Sequence, residues 1–397
     1  MRSFPPLLQN RISDFEQMLS EKDISSAVVY ARGSNLGPAT KSHGYMRYLC
    51  DWDGHQNDSV LIITPGKPPV LLVTGIFSKF FSERYYWISD TRFIKPPQLG
   101  ATIADICKSS GSESKKIGLV GLNEMPVSLW MPMNAALAGR EFVDVSPYLD
   151  QQRLVKDAHQ LSRHKAAAEV CDSLFETLRK EIHTPRPVFQ LQAELEKVAR
   201  YAGSEYCMTW LTVGPQADYC RFYKEECLRV PEKGDQVILG IYLMLDGYWG
   251  HAIRTGSMGA PSVDHQKVYQ SSKAMWDGML NNLAQGNDLA SVHNAAEQVI
   301  LSEYPSTHEQ IFRFRHGHGL GHSYEDPISS LAFPQAYDEG GGKAQSVTAQ
   351  NGMLFEIHPN LFVPGMGGSA IGDMVALSDS GNVLLTTYPR HQLDWTE

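Results

Sequence analysis

Apolar residues recur at helical spacing near the start of the chain, at Ile12, Phe15 and Leu19, and predict a helix over 11–22. Two buried-strand patterns, SSAVVYA and SVLIIT, follow, and a third, PPVLLVT, is joined to the second by the turn-forming PGKP. A helical stretch around Ile103 then leads to KKIGLVG, a further strand. Strands alternating with helices predict a small α/β domain over residues 1–153.

The texture changes at Leu154. Leu161, Val170, Leu174, Leu178 and Ile182 mark a long amphipathic helix from Lys156 to Ile182. Val188, Leu191, Leu195 and Val198 mark a second helix over 187–203. Another pair is expected over 262–285 and 289–303, separated by Gly286, with Asp288 as the N-cap. Between and after the pairs lie strand-like runs: DQVILGIYLML, GYWGHAIRTGSM, MLFEIHPNLFV and NVLLTTY. Two helix pairs, each leading into antiparallel strands, predict an α+β domain over residues 154–397 with internal two-fold character. No short-period repeat or low-complexity segment interrupts it.

Composition narrows the class. A chain of 397 residues with 42% hydrophobic and 20% charged residues is neither disordered, collagen-like nor a coiled coil. Lys plus Arg number 35 against 44 for Asp plus Glu, a net charge of −9 with no basic stretch, which argues against nucleic acid or an anionic membrane as partner. The six cysteines are scattered without a CxxC pair, as expected of reduced, mostly buried thiols. The first residues hold no apolar stretch of signal-peptide length, and the longest apolar run, Val237 to Leu245, falls far short of the ~20 residues that span a bilayer. The expectation is a soluble, cytoplasmic protein.

Three motifs then stand out in order. GDQVILGIYLMLDGYWGHAIRTG resembles the first metal-binding hairpin of the creatinase, aminopeptidase P and methionine aminopeptidase superfamily, which has the pita-bread fold. HGHGLGHSYEDP is similar to its histidine motif, and GMLFEIHPNLFVPGMGGSAIGDMV to its closing glutamate hairpins. The N-terminal half resembles the smaller domain carried by creatinase and the prolidase-type peptidases. The resemblance implies an α+β fold: a C-terminal pita-bread domain preceded by a creatinase-type α/β domain.

The peptidases of that superfamily hold two divalent metals with Asp, Asp, His, Glu and Glu. Carried over, the first Asp position is Gly240, the second is His251, the His is retained as His318, the first Glu is His358 and the second is Gly372. Glycine offers no side-chain ligand, and hard-metal chemistry wants carboxylates, so the usual dinuclear site cannot form. The resemblance implies instead that one metal site is erased and the other rewritten as His251, His318 and His358. Three imidazoles with an open position suit zinc, and also copper or iron, and leave the ion its full charge for acidifying a bound water. A metal-free site is the alternative: creatinase works by acid–base groups alone, and here His318, with Glu356 or Glu325, would move protons.

Other residues fill out the candidate set. Glu356 lies two residues before His358 on a strand, so both face one way, and Glu356 orients a histidine or acts as general base. His316 shares a face with His318 and is its rival as ligand. His322 lies four residues after His318, and Glu325 stands where the peptidases place a second, substrate-facing histidine. Arg221, in VGPQADYCRF, takes the position of another substrate-contacting histidine and would grip a carboxylate, pointing to a small anionic or zwitterionic substrate. Trp249 and Tyr248 are candidate pocket walls or plain core residues. Arg254 reads as structural.

Three functions are compatible with these residues. The first is a non-peptidase hydrolase or lyase that cleaves a C–N or similar polar bond of a small molecule. The second is a three-histidine Fe(II) or copper oxidoreductase. The third is a non-catalytic binding protein. The resemblance also implies a homodimer.

Overall fold

The computed structural model describes residues 5–33, 40–54, 57–217, 227–325, 332–334 and 344–396. The chain divides into two compact units: residues 1–153 with His322–Tyr324, and residues 154–321 with 325–397.

The first unit is α/β. Its elements run α1 (Pro6–Glu21), β1 (Ile24–Ala31), α2 (Ser42–Cys50), β2 (Ser59–Ile63), β3 (Val70–Val73), α3 (Ile76–Tyr85), β4 (Asp90–Phe93), α4 (Pro96–Lys108), β5 (Lys116–Val120), α5 (Val127–Ala136), β6 (Glu141–Asp144) and α6 (Ser146–Leu154). The six strands form one sheet in the order β4-β3-β2-β1-β5-β6. β1, β2 and β3 pair antiparallel, while β5 lies parallel to β1. The apolar positions of the first predicted helix, Ile12, Phe15 and Leu19, are all buried against this sheet. Arg153 sits in the same unit, 2.8 Å from Asp150 and 3.1 Å from the Ser323 hydroxyl.

The second unit carries both predicted helix pairs: α7 (Ala158–Glu181) with α8 (Val188–Tyr201), and α9 (Val263–Asn282) with α10 (Leu289–Glu303). A capping box starts α7, the Asp157 carboxylate accepting from the Gln160 N–H and the Gln160 side chain from the Asp157 N–H. Ser262 and Asp288 cap α9 and α10. The strands are β7 (Tyr206–Gly214), β8 (Gln236–Leu245), β9 (Tyr248–Ser257), β10 (Gly317–Gly319), β11 (Leu354–Ile357), β12 (Asn360–Val363), β13 (Gly367–Ala370), β14 (Asp373–Ser378), β15 (Gly381–Leu384) and β16 (Leu393–Asp394).

β8 and β9 form a hairpin closed by Asp246 and Gly247, both at positive φ, the two-residue turn whose twist suits a hairpin. Its register decides what each face carries. Leu239, Ile241 and Leu243 with Ala252 pack into the core under α7 and α8. The alternate positions, Gly240 and Tyr242 opposite Ile253 and His251, therefore face the other way. Burying each of these large apolar side chains is worth roughly 1.5–3 kcal/mol, which fixes the register against a one-residue slip.

One predicted strand divides in two. MLFEIHPNLFV forms β11, in the sheet β10-β11-β14-β15, and β12, which pairs with β13 and bridges to Phe312 through Phe362. The break falls at His358–Pro359. Proline cannot donate to a ladder, and the Asn360 side chain pins the crossing by donating to the carbonyls of His358, Phe314 and Arg315. Arg254 is a structural residue: it is buried, 2.8 Å from Asp373, and donates to the carbonyls of Ile253, Gly372, Tyr388 and Pro389. The five described cysteines form no disulfide. No helix among the described residues is long and apolar enough to cross a membrane.

Candidate metal centre

His251 comes from the middle of β9, His318 from the middle of β10, Glu356 from β11, and His358 from the residue just past β11. β10 and β11 pair antiparallel with His318 directly opposite Glu356, which places the two side chains together. One ligand atom from each of His251, His318 and Glu356 falls within a common 4.8 Å, and all three residues are buried. The imidazole of His358 completes a triangle of rings, with centroids 5.7 Å apart for His251–His318, 5.5 Å for His251–His358 and 5.2 Å for His318–His358.

Each ring is held by its neighbours. The Nδ1 of His318 lies 2.9 Å from the carbonyl of Gly319; a carbonyl only accepts, so Nδ1 carries the proton and Nε2 the lone pair. Tyr242, the cross-strand partner of His251, stacks on it at 4.8 Å and 20°. Phe314 stacks on His358 at 5.4 Å and 28°. The Glu356 Oε2 lies 3.2 Å from His358 Nε2 and 3.4 Å from His251 Nδ1. These distances are short, yet neither carboxylate oxygen of Glu356 nor either nitrogen of His358 makes an aligned hydrogen bond among the described residues.

Burial, reinforced by the nearby Asp373, pushes the Glu356 carboxyl well above its ordinary range, and Arg254 offsets this only in part. Burial, then the His251 and His318 imidazoles, hold His358 well below its ordinary range. Buried, convergent donors, among which the Glu356 carboxylate makes no aligned hydrogen bond within the described residues, fit a cation, whose charge would repay the desolvation of the carboxylate. A pair of ions with five carboxylate-rich ligands does not fit, because Gly240 and Gly372 offer no donor. One ion does, on two imidazoles and a carboxylate, with a third imidazole beside them.

The remaining expected residues lie elsewhere. His316, the expected rival of His318, bonds through Nε2 to Glu297 at 2.8 Å, and Arg313 grips that same carboxylate with two hydrogen bonds of 2.8 Å. Glu325 pairs with Arg315 at 3.1 Å and is not in the convergent set. His322 is buried and groups with the first unit. Trp249 is buried in β9, edge-on to Tyr206, with its carbonyl accepting from His164. Arg221 lies outside the described residues. The residues that sequence reasoning missed are Glu297 and Arg313, which hold His316, and Phe314 with Tyr242, which brace two of the imidazoles. Only Phe314, an aromatic two residues before the histidine motif, left a local signal.

The fold and the rewritten donor set define a pita-bread protein with a creatinase-type N-terminal domain. Over residues 162–379 the chain matches metallopeptidase family M24, and over residues 11–155 the creatinase/prolidase N-terminal domain. The chain belongs to family M24, a family of hydrolases whose members typically bind divalent metals. It is 27% identical over 263 residues to the putative dipeptidase YkvY of Bacillus subtilis, a match spanning 64% of this chain and just under two thirds, 66%, of that protein. It is 22% identical over 264 residues to the Xaa-Pro dipeptidase of Lactobacillus delbrueckii subsp. lactis, covering 65% of this chain and 67% of the relative. Among solved structures, the prolidase from Pyrococcus horikoshii OT3 superposes with a TM-score of 0.79 at 16% identity, over 97% of this chain and 100% of that one.

Proposed function

We propose that this chain is a hydrolase of a C–N or similarly polar bond in a small molecule, working with one divalent metal rather than two. His251, His318 and Glu356 would hold the ion, with His358 as the adjoining donor. The observation that carries this reading is the convergence of those three buried side chains on one point. A bound ion there supplies Lewis-acid polarisation and an acidified water. The protein's own part is to hold His318 in one tautomer through Gly319, to fix the rings of His251 and His358 against Tyr242 and Phe314, and to keep bulk water out. The close approach of Glu356 Oε2 to His358 Nε2 also provides two groups between which a proton can pass.

The likeness to a putative dipeptidase and an Xaa-Pro dipeptidase makes dipeptides, X-Pro included, the first substrates to try. The loss of donors at Gly240 and Gly372 supports turnover that needs one equivalent of metal. Arg221 remains the proposed grip for a substrate carboxylate. A second reading rests on the same trio: two histidines and one carboxylate are also the donor set of Fe(II) oxygen chemistry.

Elemental mass spectrometry on the purified chain and on His318→Ala, beside a dipeptide panel, tests both. About one zinc per chain, lost in the variant, with metal-dependent hydrolysis supports the first reading. About one iron with oxygen consumption and no hydrolysis moves the assignment to the second. No metal after attempted reconstitution with each ion overturns both.

A further inference from the structure

Glu297, partly buried on α10, fastens the irregular segment that leads into the histidine motif. Its carboxylate accepts two hydrogen bonds of 2.8 Å from Arg313 and lies 2.8 Å from the His316 Nε2, so the segment 313–316 is held at both ends. Phe314, between those anchors, stacks on His358 at 5.4 Å and 28°. It also packs edge-on against Trp210 at 6.0 Å and against Phe362 at 6.1 Å. The carbonyl of His316 accepts the backbone N–H of His358 at 2.8 Å. The Asn360 side chain accepts from the Phe314 N–H and donates to the carbonyls of Phe314, Arg315 and His358. His358 is thereby held at its backbone and over one face of its ring. Neither of its ring nitrogens makes an aligned hydrogen bond among the described residues, so packing sets the angle of that imidazole.

We propose that Glu297 is a positioning residue for His358: through Arg313, Phe314 and His316 it sets the direction in which the His358 ring turns its nitrogens toward the metal centre. The inference rests on the metal-dependent reading above and gives a part in that site to a residue outside the convergent donor group. An imidazole donates through a lone pair in the plane of its ring, so rotating the ring aims that lone pair elsewhere even when the residue stays in place. A ligand histidine is ordinarily oriented by a hydrogen bond to its second nitrogen. At His358 the face of Phe314 takes over that task. Phe314 can do so only while it is itself fixed, and it lies in a segment without regular ladder bonds. The bidentate pair of Glu297 with Arg313 on one side, and its contact with His316 on the other, supply the fixing. The support behind them is a fifteen-residue helix capped by Asp288.

The test uses the full chain loaded with Co(II), whose visible bands report the arrangement of its ligands, beside zinc titrations. Glu297→Ala is expected to shift the cobalt bands while the protein stays folded, and to weaken zinc binding roughly 10- to 100-fold. Glu297→Gln, which keeps an acceptor for Arg313 and a polar contact for His316, should restore the wild-type bands. Phe314→Leu leaves the Glu297 cluster intact and should shift the bands as Glu297→Ala does; it decides the matter if Glu297→Ala does not fold. Unchanged bands in Phe314→Leu overturn the proposal. A shift in Glu297→Gln equal to that in Glu297→Ala also overturns it, because the effect would then be one of charge. Proton NMR of the metal-free protein judges the rack by itself. The His358 ring protons should carry a ring-current shift that is lost in Phe314→Leu, reduced in Glu297→Ala and kept in Glu297→Gln; no change in the first two counts against it. Failure of the wild type to bind cobalt or zinc, with that NMR pattern present, sinks the metal reading and leaves the orientation of His358 by Glu297 standing.

Discussion

A Cβ added to Gly372 would stand inside the contact distance of the Glu356 Oε1. The carboxylate of β11 therefore occupies the space that a side chain just before β14 would need. In the superfamily that Gly372 position holds a carboxylate of its own. Here a carboxylate from the neighbouring strand fills that space, so glycine at 372 and glutamate at 356 form one steric unit. Gly372→Ala is expected to displace Glu356, to weaken metal retention about tenfold or more, and to cost about 1–3 kcal/mol of stability, part of it from the backbone N–H of Ile253, which the new Cβ also crowds. In a Glu356→Gly background the same substitution should cost less, since the crowded oxygen is gone. A double-mutant cycle by chemical denaturation measures that coupling; strict additivity would show that the two positions are independent.

Glu356→Gln separates the metal from the fold. The native carboxyl has a raised pKa, so between about 4.5 and that higher value the folded protein binds more protons than the unfolded chain. Stability that depends on Glu356 is therefore lost as pH rises through this window. In metal-free protein the glutamine variant should be as stable as wild type in acid and more stable toward neutral pH. In the presence of metal the order reverses, because only the wild type gains binding energy from the ion. Denaturation midpoints across pH, with and without chelator, check both signs.

Much of this site could be read from the residues in sequence, and the unreadable part has a physical cause. Three motifs single out His251, His318 and His358, whose rings lie together, although the convergent donor group takes Glu356 in place of His358; the i, i+2 spacing places Glu356 beside His358 because strand side chains alternate. The same rule made His316 a rival of His318. It failed there because Glu297, on a helix nineteen residues away, takes the His316 ring, and no local pattern encodes a contact between a helix and a loop. MLFEIHPNLFV read as one strand because its apolar content is continuous; the break comes from Pro359 and from Asn360, whose side chain bonds to the carbonyls of Phe314 and Arg315, distant in sequence.

The buried pair of Arg254 and Asp373 lies directly behind Gly372. Both are about fully buried, and Asp373 also accepts from Thr386 and from Arg390 at 2.7 Å. Asp373→Ala would leave a buried guanidinium without its counter-charge, at a cost of about 3–5 kcal/mol. Loss of metal in that variant would follow unfolding rather than precede it. Thermal denaturation and metal release measured on one sample distinguish this from a direct role: metal lost well below the unfolding temperature would make Asp373 part of the centre.

His293 gives the chain an acid-side weakness. Burial, with the adjacent His316, lowers its pKa from 6.5 to about 4. The native imidazole thus stays neutral where the unfolded one is charged, and the unfolded chain binds the extra proton between pH 6.5 and about 4. Stability is complete above pH 6.5 and falls as pH drops through that window, by up to about 3 kcal/mol for this one residue. Glu297 adds to the trend. Burial alone would raise its pKa, but hydrogen bonds from His316 and Arg313 outweigh this and hold the pKa low, so its contribution is lost at still lower pH. His293→Gln removes the first of these terms and keeps the second. Unfolding free energies at several pH values between 4 and 7 should therefore show a shallower slope for the variant than for wild type, and equal slopes would place the acid sensitivity elsewhere.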